Sequence, residues 1–162
     1  MTVVSTTQDT EELTLTVVAE LAAPPSRVWQ VWTDPQQLQR WWGPPTWPAT
    51  FTEHDVGVGG TSRYYMTGPD GEKVHGWWRF VALDEPRSLE FEDGFADERG
   101  EPADMPVTRA RVEFVETPTG TRMTLTSRFA TPEQMEQVLA MGVVEGLTLS
   151  VGQIDEVLLA TV

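Results

Sequence analysis

Apolar and polar residues alternate along most of this chain. Within Glu12–Leu21, Leu13, Leu15, Val17, Ala19 and Leu21 fall on one side and polar or small residues on the other, the period-two pattern of a half-buried strand. The last hairpin repeats it. Ala110, Val112 and Phe114 oppose Arg109, Arg111 and Glu113; Met123, Leu125, Ser127 and Phe129 oppose Arg122, Thr124, Thr126 and Arg128. Leu89 and Phe91 oppose Glu90 and Glu92 in a shorter run. Trp47–Val56, Thr61–Thr67 and Val74–Leu83 predict three more strands, separated by the turn sequences Gly57-Val58-Gly59-Gly60 and Gly68-Pro69-Asp70-Gly71. Ser62, Tyr64 and Met66 are expected to face inward. On Val74–Leu83, Trp78 and Phe80 share the inward face, and Leu83 joins them only if a bulge near Ala82 resets the alternation.

The period changes twice. After Pro24-Pro25, Val28, Val31 and Trp32 fit one face of a short helix, and Asp34-Pro35 caps a second that runs through Leu38 and Arg40. Near the end, Thr131-Pro132-Glu133 is a helix start, and no proline follows. Leu147, Val151, Ile154 and Leu158 recur at helical spacing, with Ala140, Val143 and Val144 widening the arc. The spacing predicts one continuous helix from Thr131 to Ala160, roughly 40 Å long. The order β-αα-β-β-β-β-β-β-α is that of an α+β domain with an antiparallel sheet of about seven strands and helices on one face. It forms a single domain, residues 12–160. The Ser/Thr-rich residues 1–11 predict a flexible N-terminus, and the acidic stretch Asp93–Pro106 an exposed loop.

Charge narrows the partners. Lys+Arg of 11 against Asp+Glu of 25 gives a net charge of −14 over 162 residues, which repels phosphate backbones and anionic membrane surfaces. No nucleic acid or membrane partner is expected, and a cytoplasmic location is. With no cysteine, disulfides, thiol catalysis and cysteine-ligated metals are excluded. His54 and His75 have no metal-ligand spacing around them and are expected at the surface. No nucleophile elbow, phosphate loop or dinucleotide fingerprint occurs, so no catalytic residue, metal or cofactor is assigned. Arg109, Arg111 and Arg122 beside Glu90 and Glu92 read as cross-strand ion pairs on the wet face. Glu145 falls on the side of the last helix away from its apolar stripe. Val138, Leu139, Leu149 and Val157, beside Gly142 and Gly146, form a second apolar arc there, an expected homodimer contact.

Ala23-Pro24-Pro25-Ser26-Arg27-Val28-Trp29, Trp32-Thr33-Asp34-Pro35 and Trp41-Trp42-Gly43-Pro44 resemble the opening of the Hsp90-ATPase-activator-homologue family, in the START-like or Bet v 1-like (SRPBCC) superfamily. Gly59-Gly60, Glu85-Pro86-Arg87-Ser88-Leu89-Glu90-Phe91, Gly120-Thr121-Arg122-Met123-Thr124-Leu125, Gly142 and Gly146-Leu147 continue the match in order, covering about Leu13 to Leu158. Gly57 and Leu147 depart from it, standing where the family often has arginine and tryptophan. The resemblance implies a helix-grip fold, a curved sheet around a long C-terminal helix with an elongated cavity between them. The expected lining is Trp42, Phe51, Tyr64, Met66, Trp78, Phe80, Phe91, Val112, Met123, Leu125, Val144 and Val151, a wall suited to a small hydrophobic ligand. Three functions follow in order: non-enzymatic binding of a small hydrophobic or aromatic molecule, a cyclase- or aromatase-like enzyme using Tyr64 or an inward Arg79, and interaction with an Hsp90-type chaperone. Two or more polar groups converging in the cavity would favour the enzyme.

Overall fold

The computed structural model describes residues 3–160. In chain order the elements are β1 (Val3–Asp9), β2 (Thr14–Leu21), α1 (Pro25–Thr33), α2 (Pro35–Leu38), β3 (Ala49–His54), β4 (Thr61–Thr67), β5 (Lys73–Asp84), β6 (Ser88–Ala96), β7 (Thr108–Thr117), β8 (Gly120–Arg128), α3 (Pro132–Ala140), α4 (Val143–Val151) and α5 (Ile154–Leu159). The strands form one curved antiparallel sheet in the order β1-β2-β8-β7-β6-β5-β4-β3. Short turns join most neighbours. The long-range β2–β8 pairing, Val17 opposite Leu125, brings the two ends of the chain together. The helices cover the concave face, giving the helix-grip arrangement.

Alternation decides which side chains enter the core. Leu15, Val17, Ala19, Leu21, Ala110, Val112, Phe114, Met123 and Leu125 are all buried. The register slips between Phe80 and Ala82, so Trp78, Phe80 and Leu83 all pack toward the core despite their parity. At the centre stands Trp32 of α1. Its ring meets Trp41 at 4.7 Å and Trp42 at 5.9 Å edge to face, the arrangement ring quadrupoles favour, and Phe91 at 6.0 Å and Trp78 at 6.1 Å at a tilt. Its indole N–H reaches Met123 Sδ at 3.3 Å. Both proline-led helix starts form: the Asp34 carboxylate accepts from Gln36 N and the Thr131 hydroxyl from Gln134 N. The convex face carries Arg79–Glu92 at 2.8 Å, Arg111–Glu90 at 3.0 Å and Arg122–Glu20 at 2.7 Å. Arg122 thus pairs across to β2 rather than with Glu90 or Glu92, and Arg79 points outward to an ion pair rather than into the cavity.

Four expectations change. The N-terminal stretch is not free: residues 3–9 pair along β2 as an eighth strand, satisfying backbone groups that β2 would otherwise leave at a sheet edge. Residues 1 and 2 lie outside the described part. The acidic stretch after Glu92 is not all loop, because β6 continues to Ala96. The C-terminal helix is not continuous. Gly142 takes φ +84°, a left-handed conformation that ends α3 and lets α4 start in a new direction. The axes on either side are bent by 64°. No single helix among the described residues is long and apolar enough to cross a membrane. The bend also dismantles the outer arc. Val138 is 6% exposed and packs with Leu15, Phe129 and Met135, while Val157 is 2% exposed in the main core; of that arc only Leu149, at 53%, stands free. Glu145 is exposed, as its place on the helical wheel requires.

Candidate functional site

The concave face is filled unevenly. At one end Trp29 and Trp32 descend from α1 onto Phe114 and Met123, leaving no room. At the other, the bend at Gly142 sets α4 against β1 and β2, and a cavity of about 490 Å³ remains between it and β6, β7 and β8. That volume suits a small organic ligand. The wall is built by Trp42, Trp47, Met66, Phe91, Phe95, Leu125 and Phe129 from the sheet side, and by Val138, Met141, Val143 and Leu147 from the helices, with Gly142 and Gly146 giving it depth. Val74 and Met141 line it while remaining exposed, marking where it meets solvent.

One polar pair sits in this wall. The Tyr64 hydroxyl donates to Asp93 Oδ1 at 3.1 Å. Tyr64 takes the inward face of β4, and its ring lies where a side chain at Gly76, its partner on β5, would be. Asp93 follows Leu89 and Phe91 by the same two-residue step and stands directly opposite Trp78. Asp93 is the one charged side chain among the described residues lining the cavity. Removal from water disfavours its charge and raises its pKa to about 7, against a smaller opposing pull from the donors of Tyr64 and Trp78. Burial, then the neighbouring Asp93 carboxyl, pushes the Tyr64 phenol well above 10. Near neutral pH the carboxyl therefore exchanges a proton while the phenol stays a donor. The indole N–H groups of Trp42 and Trp78 lie close enough to this pair to favour its charged forms, yet neither closes a hydrogen bond. Ser127 and Ser150, both buried, add two hydroxyl-bearing residues to the wall.

Of the residues expected in the lining, the cavity takes in Trp42, Tyr64, Met66, Phe91 and Leu125. Trp78, Phe80, Val112, Met123 and Val151 are buried behind it, in the part of the core that the α1 tryptophans, Trp41 and α5 fill. Phe51 stacks on the Tyr64 ring at 4.9 Å, and Val144 packs toward Leu15 and Phe129. Asp93, Phe95 and Ser127 were not expected there. Extending the alternation of β6 by two further steps beyond Phe91 would have found Asp93 and Phe95.

His54, expected at the surface, is half-buried. Its Nε2–H donates to the Trp32 carbonyl at 3.0 Å, and its Nδ1 accepts from the Ser62 hydroxyl at 2.6 Å, tying α1 to β3 and β4. Burial lowers its pKa. This is a structural tether. Among the described residues no group of three or more His, Cys, Asp or Glu could hold a metal ion.

Similar proteins share this fold. A protein from Arthrobacter aurescens is 51% identical over 97% of this chain and 92% of its own, with a TM-score of 0.92. Protein Ms6760 from Mycobacterium smegmatis is 47% identical over 100% and 99%, with a TM-score of 0.90. Protein NE0264 from Nitrosomonas europaea is 30% identical over 91% and 94%, with a TM-score of 0.76. No curated protein matches the chain. The family model described as Activator of Hsp90 ATPase homolog 1-like protein matches residues 22–159, from the end of β2 through α5. The chain belongs to that family, within the SRPBCC superfamily, and has its helix-grip fold.

Proposed function

We propose that this protein binds a small hydrophobic or aromatic molecule in the cavity between the sheet and the bent C-terminal helices. The observation that carries the reading is the cavity itself: about 490 Å³, walled by aromatic, aliphatic and methionine side chains around one part-buried polar pair. Apolar burial supplies the affinity of such a site, and a few placed polar groups orient the occupant. Titration with the neutral fluorescent amine N-phenyl-1-naphthylamine tests it. One saturable site with blue-shifted emission is expected. Absence of any saturable signal, together with no copurifying small molecule in native mass spectrometry, would overturn the reading.

The Tyr64–Asp93 pair favours a second reading, an enzyme of the cyclase or aromatase kind. A carboxyl that changes protonation near pH 7 beside a fixed phenol donor has the parts of a general acid–base pair acting on a ligand carbonyl. Proton-for-deuterium exchange α to the carbonyl of 2-tetralone, followed by NMR, separates the two. Protein-dependent exchange that Asp93→Asn abolishes supports catalysis; exchange at the buffer rate supports binding alone. Interaction with an Hsp90-type chaperone ranks third, since no surface feature among the described residues singles out such a partner, and isothermal titration against Hsp90 without heat would remove it.

A further inference from the structure

We propose that the cavity selects ligands whose polar end is a hydroxyl group, an alcohol or a phenol on an apolar body, and rejects carboxylates. The proposal rests on the binding reading above and goes further by naming the group that Asp93 recognises. Three features of the site carry it.

The first is the sign of the charge. Asp93 is the one charged residue of the described lining, and no lysine, arginine or histidine accompanies it. A ligand carboxylate would lose its water without gaining a cation, and would do so beside a group of like charge. Fatty acids and aromatic acids fit this chemistry badly.

The second is the state of the Asp93 carboxyl. Its Oδ1 takes the Tyr64 hydrogen, which leaves the other oxygen to accept from a ligand donor. The titratable group facing it from the elements around the cavity is Tyr64 on β4. Trp78 on β5 and Thr108 on β7, its cross-strand neighbours, carry no charge, and α3 and α4 contribute none to the lining.

The third is an orphan donor. The indole N–H of Trp42, a lining residue 6% exposed, has no hydrogen-bond partner and lies near the Tyr64 hydroxyl. A buried donor left unmade is costly, and a ligand acceptor at this end of the cavity would relieve it. A hydroxyl both donates and accepts, so one atom can serve Asp93 and an indole N–H together. An ether or ketone can only accept, and an ammonium group can only donate.

The test uses three probes with one ring system: 2-naphthol, its methyl ether 2-methoxynaphthalene, and 2-naphthoate. Each competes with N-phenyl-1-naphthylamine on the full chain at about pH 8, where an ordinary phenol is still protonated. The naphthol is expected to bind about tenfold more tightly than the ether, and the naphthoate more weakly than both. In Asp93→Leu the naphthol and the ether should bind within about twofold of each other. In Asp93→Asn, which keeps the shape, the naphthoate should gain on the naphthol. Circular dichroism verifies that both variants fold, and the wild-type ranking decides the matter without them. Equal binding of naphthol and ether, or tighter binding of the naphthoate, overturns the hydroxyl proposal while leaving ligand binding intact. If none of the three displaces the dye, and the dye itself does not bind, the binding reading falls and takes this proposal with it.

Discussion

Asp93 couples the cavity to pH through folding as well as through ligands. In the folded chain its carboxyl keeps its proton up to about pH 7, while an unfolded aspartate releases it near its ordinary value of 3.8. Folding therefore takes up a proton between those limits. The stability this contributes is present in full below about pH 4 and is lost as the pH rises through 7, where the fold must carry a part-buried charge. Asp93→Asn removes that burden. Its melting temperature should exceed that of the wild type by roughly 5 °C at pH 8 and match it near pH 4.5, in thermal unfolding followed by circular dichroism. A difference that does not change with pH would show that the carboxyl is already well solvated. His54 has the opposite slope: its lowered pKa makes the folded state less stable as pH falls below 6.5, but it is present in both chains and cancels. The parity of Leu89 and Phe91 already placed position 93 inward. It was hidden because Asp93-Gly94 looks like the end of a strand. The strand goes on because Trp77, opposite Gly94, lies over the space a side chain there would occupy, and its indole N–H bonds the Phe95 carbonyl at 3.1 Å.

The C-terminal helices turn on two glycines four residues apart with opposite demands. Gly142 holds φ +84° between α3 and α4, a conformation a β-carbon resists, whereas Gly146 lies inside α4 with nothing near its missing side chain. Gly142→Ala should destabilise the fold by about 1 kcal/mol. Gly146→Ala should stabilise it by about 1 kcal/mol, the ordinary difference in helix propensity. Urea denaturation of the two variants reads both, and the same sign for both would contradict the geometry. The strands were legible from their alternation, because each has one wet and one dry face and any other register would bury charge. The break was not. Apolar residues keep a helical period through it, and only the backbone angle at Gly142 separates α3 from α4. The outer apolar arc is interrupted for the same reason, since Val138 turns inward at the bend.

Across the whole molecule, one sheet face serves two ends with different work. At the filled end, tryptophans from α1 and from the turn after α2 make the core; at the open end, the bend in the last helices leaves space. Stability and binding should therefore separate. Trp32 touches four other aromatic rings and is fully buried, so Trp32→Ala should cost about 3–5 kcal/mol. Gly146→Leu should do the reverse. Its new side chain enters the cavity under α4 without meeting a neighbour at the β-carbon, adds helix propensity of about 1 kcal/mol, and occupies the volume a ligand would use. The expected result is a chain at least as stable as the wild type whose titration with N-phenyl-1-naphthylamine is weakened about tenfold or more. Retained dye affinity in a stable Gly146→Leu would place the ligand elsewhere. Weakened affinity with a lowered melting temperature would mean that the cavity and the core are one packing unit, and that the uneven filling of the concave face carries no division of labour.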